Sequence, residues 1–309
     1  MKETQLDLVR VTEAGAIAAS YWVGSGDKEN ADKAAVDAMR HRLNNSSVFC
    51  KVVIGEGKKD KSYGLFKGEE YGPTMKKLLS PDHCEAYDLA IDPVEGTTPT
   101  ATGGPEAMSV IGTAGEGCLF DTEEFYMNKL AYGPAIRNHI KLKITDPIEI
   151  NVQRAADVLG KSGRQMMVCL LDRPRHYNAI DRLRSIGARI KLIQDCDVSG
   201  AIATCLADRG IDLLYGIGGS PECVIAACAI KCLQGDLQAQ MADKDGVTDP
   251  RIYELDDLVK GHCTFAATGI TNGSLLEGVR FVERGPITNS VFMRSESGTI
   301  RWLKTYHGN

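Results

Sequence analysis

The sequence predicts an α/β (α+β) chain in which helices are layered on sheets, and three observations predict it. Beyond Pro147, short β-rich runs alternate with helix-spaced ones, a rhythm that favours a mostly parallel sheet covered by helices. The first part of the chain carries two apolar patterns of helical period, followed by β-rich runs. The last segment, Cys263 to Tyr306, returns to short β-like pieces separated by glycines.

Element by element, Leu8, Val9, Ala16, Ala19 and Tyr21 recur at helical spacing between about Thr4 and Val23. Gly24-Ser25-Gly26 stops that helix, and Asp27 is a suitable N-cap for a second one reaching about Asn44. Its Ala31, Ala34, Ala35, Ala38 and Met39 offer a small apolar face. Val48 to Ile54 and Ala86 to Ile91 are β-rich. Lys58 to Tyr71, charged and glycine-containing, reads as a mobile loop or a hairpin. Met166 to Leu171, Arg189 to Ile193 and Asp212 to Gly216 then read as strands. Tyr177 to Ile186, Val198 to Leu206 and Pro221 to Leu233 read as helices, the last with proline in its first turn. The tail is expected to fold back onto the first half.

A chain of 309 residues is long enough for one large layered domain or two smaller ones. The formal charge of −5, without a long basic run, argues against a nucleic-acid footprint. The N-terminus is too polar for a signal peptide, and no run approaches the roughly 18 apolar residues of a membrane span. A soluble, cytoplasmic protein is expected. The ten cysteines contain no C-x-x-C pair. Cys223, Cys228 and Cys232 share one helix, and Cys50, Cys169 and Cys205 sit in apolar surroundings, which suggests reduced core thiols.

The most informative stretch is Leu89-Ala90-Ile91-Asp92-Pro93-Val94-Glu95-Gly96-Thr97-Thr98. An apolar triplet ends a strand, and two carboxylates three positions apart then fall in a tight Pro/Gly turn before two hydroxyls. Carboxylates this close repel one another, and a multivalent cation relieves the repulsion. An anion-binding turn beside such a pair suits phosphate ester hydrolysis. Glu56, between Gly55 and Gly57, reads alone as a surface-turn glutamate. Beside Asp92 and Glu95 it joins a set of hard oxygen donors suited to Mg²⁺ or Mn²⁺. Asp32 lies early in a helix, where an acid suits the dipole without any metal. Glu222 after Pro221 is ordinary helix-start chemistry, although Gly218-Gly219-Ser220 before it can present N–H groups to phosphate. Arg173-Pro174-Arg175-His176 reads either as a solvated loop or as a guanidinium fork for a phosphate.

Taken in order, Ile54-Gly55-Glu56-Gly57, Asp92-Pro93-Val94-Glu95-Gly96-Thr97 and Gly216-Ile217-Gly218-Gly219-Ser220-Pro221-Glu222 resemble the class II fructose-1,6-bisphosphatases of bacteria. These belong to the lithium-sensitive, metal-dependent phosphatases, as do the inositol monophosphatases. The similarity runs from Asn30-Ala31-Asp32 to the Arg294-to-Arg301 tail. It implies a layered sugar-phosphatase sandwich with a mixed or antiparallel first sheet and a mostly parallel second. It also implies two subdomains, 1–147 with about 260–309 for metal and 148–259 for substrate.

The same resemblance implies two or more divalent ions, Mn²⁺ or Mg²⁺. Asp32 and Glu56 would hold one; Asp92, Glu95 and Glu222 would hold a second, with Asp92 close enough to bridge. Thr97 would orient or deprotonate the attacking water. Because a threonine hydroxyl is no base alone, Asp60 would assist it. Lys58 and Lys61 flank a region where the family commonly carries further acids, which argues against an extra loop metal. Arg173 and Arg175, around Pro174, would take the distal phosphate, and Asp195-Cys196-Asp197 the sugar hydroxyls. Tyr126 would line the pocket, Gly219 would offer a backbone contact, and Glu95-Gly96-Thr97 would also touch substrate. The implied reaction removes the 1-phosphate of fructose 1,6-bisphosphate in gluconeogenesis. Alternatives are sedoheptulose-1,7-bisphosphatase or dual activity, an inositol-monophosphatase-like activity, or a non-catalytic sugar-phosphate-binding protein. A homo-oligomer is expected, with a sugar bisphosphate as its small-molecule partner.

Overall fold

Helical spacing and capping set the start of the chain. Asp7–Ser20 buries Leu8, Val9, Val11, Ala16 and Ala19. Asp27, in an extended conformation, caps Lys28–Asn44 by accepting the Asn30 backbone N–H at 3.0 Å. That bond satisfies one of the helix's orphan donors. In this computed structural model the described residues are 6–55, 64–72, 86–122 and 125–308. They group into two units, Met1–Asp121 with Lys260–Asn309, and Thr122–Val259.

In the first unit the described strands form one sheet. Its order is Arg280–Val282, Gly285–Arg294, Cys263–Gly269, Met108–Gly115, Ala86–Glu95, Phe49–Ile54 and Glu70–Tyr71, with Thr299–Tyr306 also paired to Gly285–Arg294. Parallel pairing joins Phe49–Ile54 to Ala86–Glu95, and the other pairings are antiparallel. Cys263–Gly269 zips along Met108–Gly115, so the C-terminal tail lies in the same sheet as the strand carrying Asp92. The tail's β-like pieces are longer than their glycines suggest, because Gly298 turns Gly285–Arg294 directly into Thr299–Tyr306. Both opening helices pack on this sheet: Leu8, Val11, Val36, Met39 and Leu43 meet Val52, Leu89, Ile91, Ile111 and Phe292. Each such side chain contributes roughly 1.5–3 kcal/mol on burial.

In the second unit the sheet order is Tyr253–Glu254, Asp236–Ala242, Tyr126–Tyr132, Leu213–Gly219, Met167–Leu171 and Arg189–Ile193. Parallel pairing is confined to the last three strands. The rest is antiparallel, because Tyr126–Tyr132 enters from ahead of the β/α alternation and splits Leu213–Gly219 from Asp236–Ala242. One layer over the sheet buries Leu130, Tyr132, Val152, Leu170, Ile180 and Leu183 together. Helix Ser220–Cys232 buries Cys223, Cys228 and Cys232 with its apolar residues. Burial pushes the Cys223 thiol up to about 12, which leaves it packing as a small hydrophobe. The nine described cysteines are free thiols. Among the described residues, no helix is long and apolar enough to cross a membrane.

His176 ties two strands of this unit together. Its Nδ1 lies 2.7 Å from the Leu171 carbonyl, and its Nε2 accepts the Ile217 N–H at 2.8 Å, so the ring is neutral with the proton on Nδ1. Gly216, at φ +126°, runs against the ring, and a Cβ there would sit 2.8 Å from Nε2. Burial holds the His176 pKa below its ordinary 6.5; the Leu171 bond opposes that shift, and Arg175 and Arg173 add to it. A depressed pKa means that the unfolded chain binds the proton first as pH falls. His176 therefore contributes stability that is complete above about pH 6.5 and lost progressively below it. Thermal melts between pH 7.5 and 5 are expected to show a steeper acid decline for the wild type than for His176→Gln. Parallel declines would remove His176 as the cause.

Candidate functional site

The two central carboxylates stand on a strand, which corrects the tight turn expected after Ile91. Ala86–Glu95 continues through both, and its register against Met108–Gly115 shifts between Asp92 and Glu95. Pro93 has no N–H for the ladder, so the chain bulges there. Asp92 Oδ1 accepts the Val94 N–H at 2.9 Å within the bulge. On a regular strand, residues three apart point to opposite faces. Here the bulge brings a carboxylate oxygen of each to within 4.8 Å of the other. Glu95 is buried. Repulsion and desolvation both disfavour two negative charges held this close, so the pair fits a divalent cation.

Gly96 follows in the left-handed region at φ +98° and turns the chain into the short helix Thr97–Thr102. Lys28 Nζ donates to Thr98 Oγ1 at 2.8 Å. That bond ties the first turn of Lys28–Asn44, which also carries Asp32, to the Gly96–Thr98 turn. Lys28 was missed by sequence reasoning, since a lysine at a helix start looks like solvated charge. Glu56 and Asp60, and with them Lys58 and Lys61, lie outside the described residues.

The second unit carries expected substrate residues at the ends of four strands. Pro174 opens the short turn Pro174–His176 after Met167–Leu171. Arg175 donates from Nε and Nη2 to the Ile217 carbonyl at 3.1 and 2.9 Å, and its guanidinium carbon stands 5.2 Å from the centre of the Tyr126 ring. Burial lowers the Arg175 pKa, Tyr126 opposes this and Arg173 reinforces it. A partly desolvated guanidinium in that state gains from any anion that approaches it. Arg173 is more committed: Nη1 donates to Asp172 O at 3.0 Å, and Nη2 to Gln194 O at 2.5 Å and Asp195 Oδ1 at 2.9 Å. The structure thus pairs Arg175 with Tyr126, and Arg173 with Asp195.

Cys196, buried and left-handed at φ +68°, forms the corner between Asp195 and Asp197. A side chain in that region costs roughly 1–2 kcal/mol, so the corner is held from outside. Asp197 opens helix Asp197–Ala203 and takes Lys129 Nζ on Oδ2 at 2.6 Å; the Lys129 side chain is sealed from solvent, while Asp197 keeps 9% of its side chain exposed. Burial alone would pull the Lys129 pKa down. The Asp197 carboxylate, with Cys223 and Glu222 nearby, outweighs that and holds it above the ordinary lysine value. Lys129 too was missed; its signal was one cation inside the β-rich run Met127-Asn128-Lys129-Leu130-Ala131-Tyr132.

Gly219 ends its strand and caps helix Ser220–Cys232. A Cβ on Gly219 would stand 1.9 Å from Glu222 Oε2, so the carboxylate folds back over bare backbone. The Ser220 N–H, one of those expected to face a phosphate, is spent on Phe125 O at 2.9 Å.

The comparisons agree over the whole length. A family model described as bacterial fructose-1,6-bisphosphatase, glpX-encoded, matches residues 2–307. The chain is 38% identical to the D-fructose 1,6-bisphosphatase class 2/sedoheptulose 1,7-bisphosphatase of Microcystis aeruginosa, over 98% of this chain and 95% of that one. The protein of the same description from Synechocystis sp. gives the same identity and coverage. So does the fructose-1,6-bisphosphatase class 2 of Haemophilus influenzae. A match from residue 2 to residue 307, with identity of this order across nearly all of both chains, means that this chain belongs to the bacterial, class II fructose-1,6-bisphosphatase family.

Proposed function

We propose that the chain hydrolyses the 1-phosphate of fructose 1,6-bisphosphate to give fructose 6-phosphate and inorganic phosphate. The observation that carries this reading is the Pro93 bulge, which turns two carboxylates toward one point beside a left-handed glycine turn. Its chemistry fits a divalent ion with hard oxygen ligands, Mg²⁺ or Mn²⁺. Asp92, Glu95 and Glu222 would hold one such ion and Asp32 with Glu56 another. When bound, such ions neutralise phosphate charge and make water more acidic. Thr97 aligns the attacking water, and Asp60 receives its proton through the threonine hydroxyl.

Binding falls to the other residues. Arg175 takes the phosphate that is not cleaved, flanked by Tyr126, and Arg173 reaches toward it from its bridge to Asp195. Asp195-Cys196-Asp197 receives the sugar hydroxyls, and Gly219 offers backbone. By likeness to the family, the enzyme would serve gluconeogenesis in the cytoplasm as a homo-oligomer. A second reading, hydrolysis of sedoheptulose 1,7-bisphosphate as well, is favoured by the double descriptions of the Microcystis and Synechocystis relatives.

Phosphate release from fructose 1,6-bisphosphate with Mn²⁺, abolished by a chelator, tests the central claim. Asp92→Asn is expected to remove that release while preserving the melting transition, because a neutral amide is a poor ligand for a hard cation. Near-normal turnover in that variant would overturn the metal assignment.

Thr97→Ala is expected to slow kcat by roughly 10²–10⁴-fold, the usual range for one proton-transfer group, with a much smaller change in KM. A collapse of KM with kcat intact would make Thr97 a binding residue.

Arg175→Ala is expected to raise KM for the bisphosphate strongly and to affect p-nitrophenyl phosphate, which has no distal phosphate, far less. Remote binding energy can also serve the transition state, so some loss of kcat accompanies it. Equal losses in kcat/KM on both substrates would place Arg175 at the reacting phosphate or in the scaffold.

A further inference from the structure

Among the largest fully buried side chains of the described residues, Lys129 is the one that carries a charge. It sits mid-strand in Tyr126–Tyr132, opposite Gly216 on one side and Ala239 on the other. A methionine would fill that volume at no electrostatic cost. Buried ion pairs commonly contribute little or nothing to stability compared with well-packed apolar side chains. Core packing therefore does not account for a lysine here.

What Lys129 does is hold one oxygen. Its Nζ donates to Asp197 Oδ2 at 2.6 Å. Gly218 closes over the pair: a Cβ there would lie 2.2 Å from that same oxygen and 3.0 Å from Nζ. The neighbouring acid is held in like manner, since Arg173 Nη2 donates to Asp195 Oδ1 at 2.9 Å. The strained Cys196 corner is thus pinned at each end by a cation from a different strand or strand end. Such pinning fixes carboxylate rotamers to a fraction of an ångström, which recognition of a polyol requires.

We propose that Lys129 is a positioning residue for sugar recognition: by occupying Asp197 Oδ2 it fixes the rotamer in which Oδ1 accepts a hydrogen bond from a hydroxyl of the sugar phosphate. The proposal rests on the fructose-bisphosphatase reading. It assigns discrimination between a polyol phosphate and a plain phosphate ester to a side chain that touches neither.

The test compares fructose 1,6-bisphosphate with p-nitrophenyl phosphate, which has no sugar hydroxyl, in Lys129→Met, Asp197→Asn and the double variant. A lost hydrogen bond to a charged group corresponds to roughly a 10-fold to 100-fold change. Lys129→Met should therefore raise KM for the bisphosphate by about that factor, and lower kcat/KM for it at least 10-fold more than for the aryl ester. Because Lys129 acts through Asp197, the double variant should lose no more than Asp197→Asn alone. Losses that multiply, or equal losses on both substrates, would overturn the proposal. Should Lys129→Met fail to fold, Lys129→Met/Asp197→Leu replaces the pair by apolar side chains, an exchange that buried ion pairs tolerate. That variant is expected to lose the preference for the bisphosphate over the aryl ester, and a wild-type preference ratio in it would sink the idea. Failure of the wild-type chain to release phosphate from fructose 1,6-bisphosphate would instead overturn the function itself, and this proposal with it.

Discussion

The proposed chemistry depends first on a missing N–H. Pro93 cannot join the ladder between Ala86–Glu95 and Met108–Gly115, and the register slips there. Without the slip, Asp92 and Glu95 would project to opposite faces, one of them into the core built on Leu89 and Ile91. With it, both carboxylates serve one side, and Gly96 can turn the chain at once into Thr97–Thr102. The sheet matters to this site chiefly as a clamp. Met108–Gly115 pairs with the bulged strand along one edge and with Cys263–Gly269 along the other.

The second unit solves a different problem, bringing several charged groups close to backbone, and it does so with glycines. Along Gly216-Ile217-Gly218-Gly219, each glycine marks a side chain that arrives from elsewhere: His176 at Gly216, the Lys129–Asp197 pair at Gly218, and Glu222 at Gly219. The intervening Ile217 is bonded through both of its backbone groups, its N–H to His176 and its carbonyl to Arg175. At Gly219 the group met is the carboxylate of Glu222. An added methyl there would meet that side chain rather than backbone, whereas at Gly216 it would meet the His176 ring.

Much of this was legible in the sequence because it was local. Asp27 as a cap, the helix to Asn44, the strand Arg189–Ile193 and the buried cysteines of Ser220–Cys232 follow from spacing and side-chain type. The carboxylate motif was legible, but its backbone was not: Pro followed by Gly reads as a turn, and a bulge needs a partner strand to exist. The antiparallel half of the second sheet was hidden for a similar reason. Tyr126–Tyr132 pairs with residues 81 to 116 positions later, and such pairings leave no local signal. Lys28 and Lys129 were overlooked because a lysine's meaning lies in its partner, Thr98 or Asp197, which sequence distance conceals.

The cations of the second unit differ in how far their donors are already used. Lys129 is sealed against Asp197, and Arg173 spends donors on two carbonyls and on Asp195. Arg175 turns Nε and Nη2 to a single carbonyl and lays its plane near Tyr126. A guanidinium carries five N–H donors, so a group anchored along one edge can present another edge to an incoming phosphate. Anchoring it in advance removes side-chain entropy that binding would otherwise have to overcome. Arg173 and Lys129 act on carboxylates, whereas Arg175 is oriented by neutral groups, the Ile217 carbonyl and an aromatic ring. A cation oriented by neutral partners retains more of its attraction for an anion than one already neutralised by a carboxylate. That difference in partners, more than the basic cluster itself, sets Arg175 apart and supports its proposed part in holding the phosphate that is not cleaved.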